Sequence, residues 1–96
     1  MEKMVIDNFN SFYKNSRTFI TGHTGFKGSW LSLWLTNLKS KVSGFSLAPK
    51  EISHWNDLKL SQVKSYIGDL KDYDHIENSL IKSDPEIIFH LAAQPL

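Results

Sequence analysis

Short apolar runs alternate with longer segments of helical periodicity along this chain of 96 residues. The runs typical of β-strands are residues 18–21, 41–46, 63–67 and 86–93. The segments with helical spacing are residues 25–38 and 73–82. A polar connection, residues 47–61, follows the second strand and contains one predicted helical turn near residues 56–59. This alternation predicts a doubly wound α/β fold, in which a parallel sheet of about four strands in the order 3-2-1-4 carries helices on both faces.

Two of these segments are apolar enough to be placed in the core. In the first helix a broad apolar stripe predicts burial against the sheet, with both tryptophans in the core. This stripe consists of Phe26, Trp30, Leu31, Leu33, Trp34, Leu35 and Leu38. The last strand is continuously apolar, which predicts a central strand buried on both faces of the sheet. The sheet is also expected to cover an N-terminal lead-in whose apolar residues are Ile6, Phe9, Phe12 and Tyr13.

The ends of the two helices carry local signals. Asp72 is placed to cap the second helix, and Asp84-Pro85 ends it because proline restricts the residue before it. At the end of the first helix no glycine follows Leu38, so we expect Lys39 to adopt a left-handed conformation at a cost of about 1 kcal/mol.

Composition and charge exclude several classes of function. Eleven Lys and Arg residues nearly balance ten Asp and Glu residues, so there is no electrostatic basis for binding nucleic acid or a membrane surface. The chain has no cysteine, which excludes disulfides and thiol chemistry and fits a cytoplasmic protein. Residues 1–16 lack the apolar core of a signal peptide, and no apolar run has transmembrane length.

The spacing of the histidines in the sequence does not predict a metal site. They stand singly, without metal-ligand spacing, at positions His23, His54, His75 and His90. We therefore expect no structural metal. His90 lies inside the last strand and is interpreted as a hydrogen-bonded core histidine rather than a catalyst.

The most informative motif is a glycine-rich loop directly after the first strand, Thr21-Gly22-His23-Thr24-Gly25-Phe26-Lys27-Gly28. The loop lies where a strand turns into a helix, and phosphate groups bind well at such helix N-termini. Gly22 permits the sharp exit from the strand, Gly25 lets backbone N–H groups approach a pyrophosphate, and Gly28 lets the helix pack closely on the sheet. The loop therefore predicts a dinucleotide ligand.

Other interpretations of this loop stay open. Its spacing, Gly-x-x-Gly-x-x-Gly, differs from Gly-x-Gly-x-x-Gly, and a Walker A loop fits poorly because Lys27 precedes Gly28-Ser29. A structural turn that binds nothing is the alternative, since ordinary turns also collect glycine. The cation of Lys27 lies at the positive end of the helix dipole, where a nearby anion or cofactor hydroxyl would offset it, or it is a solvated surface lysine.

Parallel sheets of this kind bind ligands at the carboxyl ends of their strands. After the second strand, Ser46 stands where an acidic residue often binds the ribose of NAD, and its hydroxyl can hydrogen-bond a hydroxyl group but cannot repel a 2′-phosphate. After the third strand, Asp69 can accept a hydrogen bond from an adenine amino group or cap the next turn. Ala92, Ala93 and Gln94 follow the fourth strand, where small residues either admit a flat ring or pack closely.

These motifs resemble the extended short-chain dehydrogenase/reductase family, in its nucleotide-sugar branch. The segments that carry the resemblance are the glycine loop, residues 68–70 and residues 90–93. A narrower resemblance, to the 4,6-dehydratases of that branch that act on CDP-glucose, is carried by residues 22–31, 44–49 and 90–96. Together they extend over nearly the whole chain, from about residue 12 to residue 96.

The resemblance implies a Rossmann-type domain that binds NAD, in a homo-oligomeric lyase whose substrate is CDP-glucose. Such enzymes oxidise the sugar at C4, eliminate water across C5 and C6, and return the hydride to C6. Carried over by position, the glycine loop would hold the pyrophosphate, with His23, Lys27 and Ser46 facing the adenosine ribose. Asp69 and Leu70 would flank the adenine. The inner part of the cofactor would be lined by Ala92, Ala93 and Gln94.

The chain lacks the catalytic pair of that family. Family members use a Tyr-x-x-x-Lys pair, and no tyrosine of this chain is followed four residues later by a lysine. We therefore expect residues 1–96 to be the amino-terminal, cofactor-binding part of a Rossmann domain, with the substrate domain absent. A non-catalytic dinucleotide-binding module, a truncated remnant and another extended short-chain dehydrogenase, such as a sugar-nucleotide epimerase, are the alternatives.

Overall fold

The computed structural model of the chain describes residues 12–92. Its strands are β1 (Arg17–Thr21), β2 (Lys41–Ser46), β3 (Lys64–Ile67) and β4 (Ile87–His90). Its helices of more than one turn are α1 (Phe26–Asn37), α2 (His54–Leu58) and α3 (Tyr73–Ser83). The short helix α2 begins two residues before the predicted turn, because the Ser53 side chain caps it by accepting a hydrogen bond from the Asn56 N–H. No helix in this part of the chain is long and apolar enough to cross a membrane.

The strands form a parallel sheet in the order β3-β2-β1-β4, which confirms the predicted fold class and strand order. In register, Thr18 of β1 lies opposite Val42 of β2 on one side and Ile87 of β4 on the other. Each strand is reached from the previous one through a helical segment, as parallel pairing requires. The carboxyl ends of all four described strands therefore lie along one edge of the sheet.

The core lies on both faces of this sheet. On the face covered by α1, the buried side chains are Ile20, Leu35, Val42 and Val63. On the opposite face Phe19 and Phe45 have no exposed surface, and the Phe45 ring contacts His75 of α3 edge to face, with 5.0 Å between ring centroids. The strands therefore alternate their side chains between two apolar layers, as a doubly wound sheet requires.

Helix α1 corrects the predicted burial of the tryptophans. Trp30 and Trp34 are 50% and 51% exposed, on the side of the helix that faces away from the sheet. The buried positions of the helix are instead Gly28, Ser29, Ser32 and Leu35. Because most of these residues are small, the helix axis lies close to the strands and leaves no room there for indole rings.

The ends of the two longer helices follow the local signals. Lys39 has a φ of 67°, which confirms the predicted left-handed conformation after α1. The carboxylate of Asp72 accepts a hydrogen bond from the His75 N–H and so caps α3 as predicted. Asp84 ends α3 with a φ of 44°, directly before Pro85. Single residues in the sequence therefore predicted where the helices end, whereas the apolar pattern did not predict which side chains of α1 are buried.

Strand β4 differs from its prediction in length and position. It spans four residues instead of the predicted run 86–93, and among residues 12–92 it pairs with β1 alone, so it is an edge strand here. Its side chains alternate between half-buried and exposed, with Ile88 54% exposed. The prediction of a central strand buried on both faces is therefore wrong for the described part of the chain. No described element packs over Ile88 closely enough to bury it.

The lead-in to β1 is described only from Phe12 onwards, so Ile6 and Phe9 lie outside the described residues. Phe12 is largely exposed, whereas Tyr13 packs against the core cluster on the α1 face of the sheet. The Tyr13 ring lies 6.5 Å from that of Phe89, between ring centroids. Tyr13 is therefore the residue through which the end of this N-terminal segment packs against the sheet.

We predict that the 96-residue chain self-associates through β4. One edge of β4 has no partner strand among residues 12–92, and this edge and the exposed side chains of Ile88 and Leu91 favour pairing with another copy, since burying a large apolar side chain contributes roughly 1.5 to 3 kcal/mol. Sedimentation velocity over roughly a tenfold concentration range should show mass increasing with concentration. Ile88→Lys should weaken this association, whereas Ile52→Lys, at a 92% exposed loop position, should not. A concentration-independent monomer with a cooperative thermal transition would contradict the prediction.

Candidate functional site

The glycine loop joins the end of β1 to the start of α1 and touches the end of β4. Gly22 has a φ of 81°, a conformation that favours glycine, and its N–H donates to the Phe45 carbonyl oxygen over 2.8 Å. A Cβ atom on Gly22 would lie 2.9 Å from the backbone nitrogen of Ala92. The absence of a side chain at Gly22 therefore lets the ends of β1 and β4 approach each other.

Gly28 holds the first turn of α1 against the same loop. A Cβ atom at this position would overlap the carbonyl oxygen of Gly22 and lie 2.7 Å from the Cα atom of His23. The close packing predicted for Gly28 is thus present, although its nearest neighbour is the loop backbone rather than a side chain of the sheet. This contact places the N-terminus of α1 directly above the carboxyl edge of the sheet.

Gly25 differs from the other two loop glycines because the fold does not require it. Its φ is −72°, and a Cβ atom there would meet only the Gly22 carbonyl oxygen, at an ordinary 3.4 Å. Gly25 is the N-cap residue of α1 and supplies no capping side chain, and the first turn contains no acidic residue. The N–H groups of that turn are therefore without a side-chain acceptor, which is the arrangement that binds anions.

A cavity of about 200 Å³ opens at this edge of the sheet. It brings together predicted residues from four separate segments, and the full lining is Gly22, Ser46, Leu47, Gly68, Asp69, Leu70 and Ala92. Leu47 and Gly68 were not among the predicted site residues, although their positions next to Ser46 and Asp69 at the ends of β2 and β3 were usable signals. Ala93 and Gln94 lie outside the described residues.

Of the loop residues 21–28, Gly22 alone lines this cavity, and the predicted contacts of Phe26 and Lys27 lie outside it. The Phe26 ring lies on the outer side of α1 in contact with Trp30 and His54, at centroid distances of 6.5 Å and 5.4 Å. Together with Thr24 it lines a neighbouring cavity of about 380 Å³ on the far side of Leu47. Lys27 is exposed. Any contact these two side chains make with a ligand stays a prediction.

Thr24 ties the glycine loop to the end of β2. Its hydroxyl lies 2.7 Å from the Ser46 hydroxyl and donates to the Leu47 carbonyl oxygen over 3.1 Å. The N–H of Gly68 continues the sheet by donating to the Ser46 carbonyl oxygen over 2.9 Å. Ser46 therefore connects the loop, β2 and the turn after β3, and it is one of the residues that line the cavity.

His23 does not take the position that the family resemblance implies. Its imidazole has no exposed surface and points into the core, where Nε2 lies 2.6 Å from the Ser65 hydroxyl. The ring lies against Gly44, where any Cβ atom would overlap it, and contacts Trp55 edge to face at 4.9 Å. A side chain enclosed in this way cannot face a ribose, so that prediction is wrong. Glycine within β2 is explained by the room that the imidazole needs.

Asp69 has the structural role that the sequence left open as an alternative. Its Oδ1 atom accepts a hydrogen bond from the Lys71 N–H over 2.9 Å, and its carbonyl oxygen accepts one from the Asp72 N–H. The residue is exposed and lines the cavity at the same time. Contact between its carboxylate and an adenine stays a prediction.

His90 is not a core residue, which corrects its interpretation from the sequence. It is exposed at the end of β4, and its Nδ1 atom lies 2.6 Å from the Thr21 hydroxyl. The same hydroxyl accepts a hydrogen bond from the Ala92 N–H over 3.3 Å. Thr21 and His90 thus hold the ends of β1 and β4 together beneath the cavity.

Comparison with known proteins supports the α/β fold and identifies the family of this chain. The sequence profile described as GDP-mannose 4,6 dehydratase matches residues 19–96. CDP-glucose 4,6-dehydratase from Salmonella typhimurium is 49% identical over 88 residues, which cover 90% of this chain and 24% of that protein. The chain therefore spans about a quarter of the length of this relative.

Two solved structures, both described as epimerases, share the architecture. Epimerase Mth375 from Methanothermobacter thermautotrophicus has a TM-score of 0.78 and 26% identity, over 95% of this chain and 26% of that one. A putative epimerase from Burkholderia cenocepacia has a TM-score of 0.69 and 25% identity, over 85% of this chain and 26% of that one. In both cases the match covers about a quarter of the larger protein.

We predict that His23 makes the fold less stable in mild acid. Burial lowers the pKa of His23 from 6.5 to about 4. Between these values the unfolded chain binds the proton and the folded chain does not, so stability decreases as the pH falls through this range. From about pH 7.5 to about pH 5 the loss attributable to His23 should be roughly 2 kcal/mol.

Urea unfolding followed by tryptophan fluorescence at the two pH values measures this loss. In His23→Asn the pH-dependent part of the unfolding free energy should shrink by that amount, even if the variant is less stable at both values. His54→Asn serves as the control for loss of a histidine elsewhere. An unchanged pH dependence in His23→Asn would contradict the prediction.

Proposed function

The chain belongs to the GDP-mannose 4,6-dehydratase family, and from this premise we propose that it is the NAD-binding portion of a nucleotide-sugar 4,6-dehydratase. We further propose that the complete protein converts CDP-glucose to CDP-4-keto-6-deoxyglucose. The 49% identity to a CDP-glucose 4,6-dehydratase supports this substrate over that of the epimerases, whose identities are 25% and 26%. NAD would supply the group that accepts a hydride from the sugar and returns it.

Gly25 is the observation that carries the proposal. Packing explains Gly22 and Gly28, because a Cβ atom at either position would meet backbone atoms of the protein closer than real contacts allow. At Gly25 the protein leaves room for a side chain, yet none is present and the first turn of α1 is uncapped. A pyrophosphate that approaches the backbone at Gly25 would need this room and would accept hydrogen bonds from the free N–H groups.

The cavity beside the loop suits the adenosine end of the same cofactor. Its wall combines the backbone of Gly22 and Gly68 with the side chains of Ser46, Asp69 and Leu70. The glycines of the lining leave space for a flat ring against the leucines Leu47 and Leu70, and a ribose would lie beside Ser46. Ala92 also lines the cavity. It would be followed along the cofactor by Ala93 and Gln94.

We predict that Gly25→Val abolishes NAD binding and leaves the fold intact. The branched side chain would occupy the space above the loop, and its Cβ atom would lie at an ordinary contact distance of 3.4 Å from the Gly22 carbonyl oxygen. Isothermal titration calorimetry should therefore detect no NAD binding, while circular dichroism reports unchanged helical content.

Gly28→Ala is the matched comparison within the same loop. Its added methyl group would overlap the Gly22 carbonyl oxygen, so this variant should lose thermal stability. The opposite behaviour of the two variants separates a ligand-binding glycine from a structural one. Equal NAD affinity in the wild type and in Gly25→Val would remove the glycine loop from the proposal.

We predict that the purified 96-residue chain has no dehydratase activity of its own. It holds no Tyr-x-x-x-Lys pair, so no residue pair of that kind is available for proton transfer. Incubation with CDP-glucose and NAD, followed by chromatography of the nucleotide sugars, should return only the substrate. Formation of a 4-keto-6-deoxy product would contradict this prediction and would place catalysis within residues 1–96.

A further inference from the structure

We propose that His23 is a positioning residue, whose buried imidazole anchors the glycine loop to the sheet and so sets where the N–H groups of the first turn of α1 meet an anion. The inference rests on the proposed function for the identity of that anion, the pyrophosphate of NAD. It goes beyond that function because it assigns the geometry of the loop to a side chain that no ligand can reach, since the imidazole has no exposed surface.

The imidazole of His23 extends from the loop into the interior of the fold. It crosses β2 at Gly44, where a Cβ atom would overlap the ring and lie 2.7 Å from the His23 Cβ atom. Its Nε2 atom lies 2.6 Å from the hydroxyl of Ser65, which pairs with Gly44 in the neighbouring strand β3. Trp55 of α2 contacts the ring edge to face. The side chain of one loop residue is thereby held by two strands and a helix.

The backbone of His23 supports the first turn of α1. Gly28 packs so closely on it that a Cβ atom there would lie 2.7 Å from the His23 Cα atom. The Ser29 hydroxyl donates to the His23 carbonyl oxygen over 3.4 Å. Gly25, the N-cap residue of the same turn, donates its N–H to the Gly22 carbonyl oxygen over 3.1 Å. The turn whose N–H groups lack a side-chain acceptor therefore rests on residues 22 and 23, and a shift of His23 would move it.

The effect of the imidazole on a ligand is positional rather than electrostatic. Burial lowers the pKa of His23 to about 4, so the ring is neutral at pH 7 and adds no charge beneath an anion. An apolar side chain of similar volume would fill the same space but would leave the Ser65 hydroxyl without this partner. The hydrogen bonds of Gly22 and Thr24 to β2 and Leu47 do not involve the imidazole. Without the ring the loop should therefore shift rather than unfold.

Gly44→Ala tests the proposal without changing the loop or any residue that lines the cavity. The added methyl group would displace the imidazole, so the affinity for NAD, measured by isothermal titration calorimetry, should fall at least about tenfold below that of the wild type. Val42→Ala is the matched control. It removes buried apolar atoms from the same strand at its amino end, opposite Thr18, and should bind NAD within about twofold of the wild type.

The double variant His23→Ala/Gly44→Ala separates positioning from packing, and it replaces Gly44→Ala if that variant does not fold. The two changes exchange the imidazole for a methyl group in the same space, so thermal stability should recover from that of Gly44→Ala. The affinity for NAD should stay at least about tenfold below that of the wild type, because no side chain joins the loop to Ser65. Recovery of both stability and affinity would show that the imidazole only fills space and would overturn the inference.

His23→Gln is the conservative variant of the same position. Its amide nitrogen lies as many bonds from Cα as Nε2 does and can reach the Ser65 hydroxyl, so the affinity for NAD should stay within about threefold of the wild type. An affinity as low as that of the double variant would contradict the anchoring role of this hydrogen bond.

Hydrogen exchange followed by mass spectrometry decides the position of the loop without a ligand. Peptides that cover residues 22–29 should exchange faster in the double variant than in the wild type, because the hydrogen bonds of the Gly22 and Gly25 N–H groups lose their support. In Val42→Ala the exchange of these peptides should be unchanged. Equal exchange in the wild type and in the double variant would overturn the inference. A wild type that binds no NAD would contradict the proposed function, while the exchange rates would still decide whether His23 positions the loop.

Discussion

The close approach of helix α1 to the glycine loop is the contact on which the rest of the structure depends. Gly28 has no space for a side chain because the Gly22 carbonyl oxygen lies against it. The N-terminus of α1 is thereby placed at the carboxyl edge of the sheet, with its uncapped N–H groups beside the ends of the strands. A larger residue at this one position would lift the helix and separate its uncapped first turn from the cavity.

The same approach determines where the large side chains of α1 lie. A helix held close to the strands needs small residues on its inner side, and Ser29 and Ser32 are fully buried there. Both serine hydroxyls donate to carbonyl oxygens of the preceding turn, so their burial leaves no donor unsatisfied. The indole rings of Trp30 and Trp34 are then directed outwards. The short distance between α1 and the strands therefore explains both the burial of the serines and the exposure of the tryptophans.

Neutral hydroxyl groups, rather than ion pairs, organise the carboxyl edge of the sheet. The Thr21 hydroxyl joins the ends of β1 and β4, and the Thr24 hydroxyl joins the loop to β2. The Ser65 hydroxyl is hydrogen-bonded to the imidazole of His23. The ion pairs among residues 12–92 lie at the opposite end of β1, where Arg17 meets Asp84 and Glu86 at the surface. Hydroxyls carry no net charge, so these contacts hold the strand ends together without adding a charge at the edge.

The sequence by itself determined the order of the strands, the helix ends and the position of the glycine loop. These features depend on neighbours along the chain: apolar periodicity, a capping Asp72, and a left-handed Lys39 where no glycine is available. The local signals survive in the fold because the backbone conformation of a residue is set mainly by its own side chain and its immediate neighbours.

Only the tertiary structure decided which side chains are buried and where they point. The sequence placed the tryptophans of α1 in the core and the imidazole of His23 at a ribose, and both predictions were wrong. At Gly28 the backbone of Gly22 and His23 leaves no room for a side chain, whereas at Gly44 the missing side chain makes room for the imidazole of His23, which is distant in sequence. The contact between the Ser46 and Thr24 hydroxyls likewise joins residues that lie 22 positions apart. Contacts between residues distant in sequence leave no periodic pattern along the chain. They therefore cannot be predicted from the identities of neighbouring residues.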